Sequence, residues 1–309
     1  MEEGRGVMRP AGFEPASLAR EATNPRKVNI GEREPQELKK SFEEFCLIDL
    51  GLSESTVRRH LVVIRDLLRF LRENNIAAVG REDIRQYLKA KREGDADSTY
   101  ANRIKALRRF FRDFLGAEEL IGSFELPRTP RESDALEIPD KGDLRKFFDN
   151  IDMSKYRAIF LFKATSGLRT SEVASLKTGD VDFEKRMVVP NHDGNTKRSY
   201  VTFYNRETER ELEEFFPKRE NGDERLFQTT VRPIQKAFQR ASDESGIKIS
   251  PKMLRKWFAK EMRNLNVSGE HIDAFCGRLP SSIRAKHYTD LSPERLREVY
   301  EDAGITVLS

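Results

Sequence analysis

The sequence predicts a mainly α-helical protein of two domains, with a small antiparallel β-sheet in the second domain. Three observations lead to this prediction. The length of 309 residues suits two domains of ordinary size. Apolar residues recur at helical spacing along most of the chain. Residues 121–138 hold two prolines and lack periodicity, which predicts a linker between the two regions.

The composition is that of a globular chain with a heavily ionised surface, since 35% of residues are charged and 37% are hydrophobic. The net charge of +4 is too small to indicate nucleic-acid binding, so the distribution of basic residues must decide. No apolar stretch approaches the roughly 20 residues that span a bilayer. Cys46 and Cys276 lie among apolar neighbours, which predicts reduced buried thiols. We therefore expect a cytoplasmic protein without membrane contact.

The first domain is predicted to contain four helices within residues 35–120, after a flexible tail at residues 1–34 that lacks periodicity. Each predicted helix has apolar residues spaced three or four apart, and the cap-like Ser53 precedes the second. The apolar stripes are Leu38, Phe42 and Phe45; Val57, Leu61, Ile64, Leu68 and Leu71; a short helix at residues 84–88; and Tyr100, Ile104, Leu107, Phe111 and Phe114.

The polar sides of the second and fourth helices are basic. Few acidic residues lie within helical reach of the fourth helix, so we expect a surface that binds the phosphate backbone of DNA. The alternative is a solvated face whose cations pair with acids on neighbouring helices. The candidate DNA-binding residues are Arg58, Arg59, Arg65, Arg103, Lys105, Arg108 and Arg109.

The second domain is predicted at residues 139–309. Two helices, at about 140–150 and 155–166, are followed by a glycine turn and a short helix at about 170–176. Residues 186–192 and 198–203 predict a strand pair around a turn, and helices then follow to about residue 303. The apolar residues of the C-terminal segment could pack on their own domain or on a neighbouring protomer.

A set of cations in the second domain precedes a late tyrosine. Arg169 follows the turn at Gly167, and Lys252 and Arg255 are three apart on one helix face. Any one of them could be an ordinary surface residue, and Arg169 could pair with Glu172 or Asp180. In chain order the candidate catalytic residues are Arg169, Lys197, Lys252, Arg255, Arg278 and Tyr288, with Lys177 and Lys185 as alternatives to Lys197.

This order and spacing resemble the tyrosine recombinase (phage-type integrase) family over residues 36–300. The family has an arginine in a G-x-R-x-x-E turn, a hairpin lysine, an H/K-x-x-R box and a late tyrosine. The resemblance implies a SAM-like helical core-binding domain followed by a catalytic domain. It also implies double-stranded DNA as partner and a homo-tetramer on two duplexes, which would be a monomer or weak oligomer when free. No metal or other cofactor is expected.

The chemistry of phosphodiester transfer explains why these residue types are needed. Guanidinium groups such as those of Arg169 and Arg255 stabilise the charge that grows on the phosphate oxygens. Lys197 can protonate the departing oxygen, and the Tyr288 phenolate can form a covalent 3′-phosphotyrosyl intermediate. A type IB-like topoisomerase and an inactive DNA-binding protein on the same scaffold are the alternative functions.

Two departures from the family pattern and one N-terminal motif are informative. Lys252 and Arg278 stand where many members have groups that titrate near neutrality, so the acceptor of the Tyr288 proton stays open. These substitutions resemble archaeal virus and plasmid integrases of the fusellovirus type. In that type the attachment site lies within the integrase gene and matches a tRNA gene. Residues 12–15, Gly-Phe-Glu-Pro, fit one reading frame of a tRNA T-arm, which suggests a constraint at the level of DNA.

Overall fold

A computed structural model describes residues 27–31, 34–127, 138–190, 201–219, 222–278 and 289–309. The chain divides into two compact units between residues 134 and 135. Each unit has its own hydrophobic core. The predicted fold class, mainly helical with a small antiparallel sheet in the second unit, is confirmed.

The first unit is built from helices whose apolar stripes face one core, as the periodicity predicts. The second helix is the longest, with 20 residues, its apolar stripe runs from Val57 to Leu71, and Ser53 stands at its N-terminus. The helices are α1 (Pro35–Glu44), α2 (Glu54–Glu73), α3 (Arg81–Arg92), α4 (Asp97–Arg108) and α5 (Glu118–Ile121).

Helices α1 and α4 each continue into a wider π-helical turn, at Phe45–Asp49 and at Arg109–Phe114. Both turns end next to the same aromatic cluster. The rings of Phe42 and Phe110 meet edge to face at 5.2 Å, and the ring of Phe114 lies 5.5 Å from that of Phe42. Such edge contacts stabilise a core beyond simple burial of apolar area. Helices α1 and α4 therefore pack against each other through this aromatic cluster.

Two predictions for this unit need correction. The flexible tail is predicted to reach residue 34, but β1 (Val28–Asn29) pairs antiparallel with β2 (Ala78–Val79), and Ile30 is buried. The linker is predicted from residue 121, but Ile121 is buried at the end of α5. In both places a segment too short to show periodicity is ordered by packing on the core.

The second unit is also mainly helical, with one three-stranded antiparallel sheet. Its helices are α6 (Lys141–Asp149), α7 (Ser154–Ser166), α8 (Thr170–Ser175), α9 (Arg206–Phe215), α10 (Val231–Ser245), α11 (Pro251–Asn264), α12 (Gly269–Phe275) and α13 (Pro293–Ala303). Its strands, in sheet order, are β3 (Val181–Asp182), β4 (Met187–Val188) and β5 (Thr202–Phe203).

Helix α7 lies at the centre of the second unit and contacts α8, α9, α11 and β5. Every residue from Ala158 to Ser166 is buried, so this stretch of the helix is covered by its neighbours on all sides. The predicted strand pair is confirmed as β4 and β5, whereas β3, which pairs with β4, was not predicted. The predicted turn at residues 193–197 lies outside the described residues.

The C-terminal segment packs on its own unit. The backbone N–H groups of Val307 and Leu308 donate to the Glu207 carboxylate at 2.7 and 3.0 Å, and Val307 is fully buried. The hydroxyl of Tyr300, on α13, donates to the carbonyl of Thr165 at 2.9 Å. In the single chain the segment therefore packs in cis.

Among the described residues, no helix has the length and apolar character needed to cross a membrane.

Candidate functional site

Helices α2 and α4 pack side by side and enclose an open groove of about 740 Å³ in the first unit. The groove brings together the two basic helix faces that the sequence singles out. Eight of its lining residues are arginine or lysine and only one, Asp66, is acidic. Its cations are Arg59, Arg65, Arg69, Arg103, Lys105, Arg108, Arg109 and Arg112.

Arg103 is held inside the unit by acids on neighbouring elements. Its guanidinium donates to Asp66 and to Asp95, in each case at 2.8 Å, and to the hydroxyl of Tyr87. Only 12% of its side chain is exposed. The alternative reading of the basic face, pairing with acids elsewhere, therefore describes Arg103. We reassign it from DNA binding to support of the groove wall.

The carboxylate of Asp66 ties three elements together through this network. Lys91 of α3 donates to it at 3.1 Å, and Tyr87 donates at 3.0 Å. Burial alone would raise the pKa of Asp66, but the hydrogen bonds from Lys91 and Tyr87 and the charge of Arg103 outweigh it and lower the pKa. Asp66 thus stays ionised at neutral pH and keeps Arg103 in place.

The remaining candidate cations of this unit differ in how free they are. Arg65 and Lys105 are exposed and have no ion-pair partner among the described residues. Arg109 pairs with Asp113 at 2.6 Å, and Arg108 donates to the carbonyl of Phe124. Arg59 donates to the backbone of its own helix. Arg58 does not line the groove and pairs with the exposed Glu54.

His60 is a groove residue that sequence reasoning missed. It lies between the cations, and burial, with the charges of Arg109 and Arg59, lowers its pKa. Its position on the polar side of α2, next to the stripe residue Leu61, gives no signal in the sequence. The histidine is therefore neutral near pH 7 in the free protein.

In the second unit, the turn that precedes Arg169 is fixed by its neighbours. Gly167 ends α7 with φ of +67°, and a Cβ atom there would lie 2.5 Å from the Phe258 ring. Glycine is needed for both reasons. The Arg169 backbone N–H donates to Glu172 at 2.6 Å, and its guanidinium donates to the same carboxylate. Arg169 thus begins α8 with its side chain held at the helix N-terminus.

Arg255 reaches the same turn from α11. Its guanidinium donates to the carbonyl of Gly167 at 2.7 Å and to that of Cys276, and Nη1 lies 3.8 Å from the Glu172 carboxylate. Only 2% of the Glu172 side chain is exposed. Burial lowers the pKa of Arg255, although a guanidinium stays protonated at any ordinary pH. Arg169 and Arg255 therefore meet at one buried carboxylate.

The other candidate catalytic residues do not contact Glu172 or lie outside the described residues. Lys252 is exposed one turn before Arg255 on α11. Arg278 follows α12, and its exposed guanidinium lies 3.4 Å from Asp273. Lys197 and Tyr288 fall in residues 191–200 and 279–288, outside the described residues.

The two alternatives to Lys197 have acidic partners. Lys177 pairs with Glu224 at 3.0 Å, and Lys185 lies 3.5 Å from Asp182. Both lysines are exposed, and such surface pairs are weak, so the choice among the three lysines stays a prediction.

Lys163 was missed by sequence reasoning. It is fully buried in α7, and its Nζ donates to the carbonyl of Leu168 at 3.0 Å. The signal was present, since Lys163 interrupts the apolar run of residues 158–164. A lysine in such a run is rarely buried without a partner or a role.

Among the described residues, no group of three or more His, Cys, Asp or Glu side chains could hold a metal ion. The chemistry that the second unit can perform with its described residues is binding of an anion by two guanidinium groups. Each guanidinium has five N–H donors, of which only some are used within the protein.

Comparison with known proteins identifies the family. Residues 140–295 match the phage integrase family, and residues 40–119 match the phage integrase N-terminal SAM-like domain. A chain named tyrosine recombinase XerA from Thermococcus onnurineus is 28% identical over 285 residues, which is 85% of this chain and 95% of that one. A tyrosine recombinase XerC from Pediococcus pentosaceus is 26% identical over 294 residues, 85% of this chain and 96% of the other.

A solved structure has a similar fold. It is a lambda integrase tetramer bound to a Holliday junction, with a TM-score of 0.65 and 11% identity, covering 91% of this chain and 85% of that one. The chain belongs to the phage integrase family. The family and the class of enzyme predicted from the sequence, a tyrosine-type recombinase, are thereby confirmed.

The different roles assigned to two groove cations can be tested by stability. Arg103→Met leaves two partly buried carboxylates without their main partner and should lower the free energy of unfolding by about 3 kcal/mol. Lys105→Met, two residues further on the same helix, should change it by less than about 0.5 kcal/mol. Urea unfolding followed by circular dichroism measures both.

The single tryptophan, Trp257, lies in the second unit and provides an internal control. Its fluorescence transition should stay at the wild-type urea concentration in both variants. Equal stability of the Arg103→Met and wild-type proteins would refute the structural role of Arg103.

Proposed function

We propose that this member of the phage integrase family is a site-specific DNA recombinase that cleaves and rejoins DNA through a 3′-phosphotyrosyl intermediate at Tyr288. The observation that carries the proposal is the meeting of Arg169 and Arg255 at the buried Glu172. Two guanidinium groups fixed from different helices form a site for the two non-bridging oxygens of a phosphodiester.

The geometry explains how such a site would work. Glu172 and the carbonyls of Gly167 and Cys276 use part of the hydrogen-bonding capacity of the two arginines and fix their planes. The remaining N–H groups need no reorganisation when charge grows on the phosphate during attack. Positioned donors of this kind are typically worth about 3 kcal/mol each in the transition state.

The assigned roles cover the bonds made and broken at phosphorus. The Tyr288 hydroxyl first gives its proton to a base that the sequence leaves open. The phenolate oxygen then forms a bond to phosphorus as the bond to the 5′ oxygen breaks, and Lys197 supplies a proton to that oxygen. Lys252 and Arg278 would add positive charge around the phosphate. The phosphodiester energy is kept in the phosphotyrosyl bond, so rejoining to another strand needs no external energy source.

The groove of the first unit supports double-stranded DNA as the partner. Its free cations, Arg65 and Lys105, stand on facing helices where they can contact phosphates. Such contacts position a protein on DNA and carry no sequence information themselves. We propose that Arg59, Arg108 and Arg109 contribute to the same surface, and that Arg58 lies at its margin.

We further propose that the active assembly is a homo-tetramer on two duplexes, as in the structure of the lambda integrase on a Holliday junction. We also propose that this protein integrates the mobile element that encodes it at a tRNA gene. Residues 12–15 support this second proposal, because one reading frame of a tRNA T-arm encodes their sequence, Gly-Phe-Glu-Pro. Reading the nucleotides of the gene tests it, and the absence of a tRNA 3′ half at those codons would refute it.

The covalent step is tested with duplexes that the protein itself selects from a random library and that are then nicked. Wild-type protein should form a 3′-phosphotyrosyl adduct that is visible on a denaturing gel, and Tyr288→Phe should form none. Arg169→Ala and Arg255→Ala should each slow adduct formation by about a hundredfold to a thousandfold, because each removes one positioned guanidinium.

Tyr156→Phe is the matched control, since this partly buried tyrosine packs on the core of the same unit. An adduct that persists in Tyr288→Phe sinks the assignment of the nucleophile. Exchange of strands between two site-bearing plasmids, as opposed to relaxation of one supercoiled plasmid, separates a recombinase from a topoisomerase.

The groove is tested by the salt dependence of binding to the same duplexes. Arg65→Ala and Lys105→Ala should each weaken binding, and each should reduce the slope of log affinity against log salt by about 0.9 per lost phosphate contact. Arg85→Ala is the control, because Arg85 is exposed, pairs with Glu82 and does not line the groove. Unchanged slopes in both groove variants contradict a phosphate-binding role.

A further inference from the structure

Lys163 is a charged side chain that the proposed reaction does not use. It lies in α7, has no exposed surface, and has no ion-pair partner among the residues that the structure describes. Its Nζ donates to the carbonyl of Leu168 at 3.0 Å. An ammonium group has three donors, so one carbonyl does not satisfy it in an apolar interior.

The groups around Lys163 determine how readily it is protonated. Burial, assisted by the charge of Arg255 and opposed by that of Glu172, lowers its pKa to about 7. Of the other elements that pack against α7, β5 presents Thr202, which donates to the carbonyl of Ser166, and α9 presents the Thr208 hydroxyl, which bonds that of Thr165. Helix α9 also presents Glu211, which is paired with Arg157 of α7 at 3.1 Å, and the hydroxyl of Tyr300 on α13 donates to the Thr165 carbonyl. Lys163 therefore changes its charge near neutral pH.

Its position relates it to the proposed phosphate site. The carbonyl that it contacts belongs to Leu168, the residue before Arg169, and Arg255 contacts the preceding carbonyl, that of Gly167. Lys163 thus stands behind the turn from which Arg169 projects. A negative charge bound by Arg169 and Arg255 would favour the protonated amine through a medium that screens charge poorly.

We infer that Lys163 is a positioning residue that takes up one proton from solvent when a phosphodiester binds to Arg169 and Arg255. The uptake forms an N–H bond on Nζ without any change in oxidation state, and the proton returns to solvent on release. The ammonium strengthens the contact with the Leu168 carbonyl and places a third positive charge behind the phosphate. This inference rests on the proposed phosphate-binding role of the two arginines.

Proton uptake on binding is the direct test. Calorimetric titration of the selected duplex, in buffers of different ionisation enthalpy, gives the number of protons bound per complex. At about pH 8 the wild-type protein should take up a larger fraction of a proton than Lys163→Met, because its amine is mostly neutral before binding. The difference should vanish at about pH 5.5, where the amine is already protonated. Equal proton numbers at about pH 8 overturn the inference.

A second variant separates charge from hydrogen bonding. Lys163→Gln keeps a neutral donor for the Leu168 carbonyl but cannot be protonated. The ratio of wild-type to Lys163→Gln adduct formation should fall several-fold between about pH 7 and pH 9.5, as the wild-type amine loses its proton. A ratio that stays constant over this range means that Lys163 is only structural.

Folding of the variants is checked by their stability. The folded-state pKa of about 7 lies below the unfolded value of about 10.4, so between these values the unfolded protein binds more protons. Wild-type stability therefore gains with pH over this range relative to Lys163→Met. The melting temperature of Lys163→Met should exceed that of wild type by more at about pH 6 than at about pH 9.5.

Failure of the inference and failure of the proposed function give different results. If Arg169→Ala forms the adduct at the wild-type rate, the proposed phosphate site is wrong. If Arg169→Ala is slow and the proton numbers of wild type and Lys163→Met agree, only the role of Lys163 is wrong.

Discussion

The burial of the Glu172 carboxylate is the constraint on which the candidate site depends. A carboxylate with 2% of its surface exposed is costly to bury unless cations and donors replace its water, and here Arg169, Arg255 and the Arg169 backbone N–H do so. The result is one negative charge beside two permanent positive charges. This local excess of positive charge is what a phosphodiester would neutralise, and it is held in place before any ligand arrives.

The C-terminal end of α7 shows how other elements of the unit fix the turn beside Glu172. The last carbonyls of a helix lack partners within it. Here Thr165 accepts from Tyr300 of α13, Ser166 accepts from Thr202 of β5, and Gly167 accepts from Arg255 of α11. Leu168, the next residue, accepts from Lys163 of α7 itself. Four successive carbonyls thus accept hydrogen bonds from β5, α13, α11 and α7 itself. The C-terminal segment, although distant in sequence, therefore supports the turn that carries Arg169.

The sequence was informative where a structural feature depends on residues close together in the chain. Helical periodicity located α2 and α4, and the glycine turn and the three-residue spacing of Lys252 and Arg255 located the site. It failed where partners come from afar. Nothing near Arg103 in sequence shows that its guanidinium donates to Asp66, 37 positions away. The strand β1 was missed for the same reason, because its pairing with β2 is non-local. The burial of Lys163 depends on four surrounding elements. Its interruption of the apolar run at residues 158–164 was therefore the only local evidence for it in the sequence.

The two proposed contact regions should respond differently to salt, because their cations differ in burial. Groove cations such as Arg65 and Lys105 are exposed, so counterions screen them and affinity must fall steeply as salt rises. Arg255 has only 12% of its side chain exposed, where ions of the solution penetrate poorly. The net charge of +4 is too small to attract DNA by itself, so attraction comes from the local concentration of cations in the groove. Salt should thus act on formation of the complex far more than on the chemical step within it, because attraction and catalysis use cations in different dielectric surroundings.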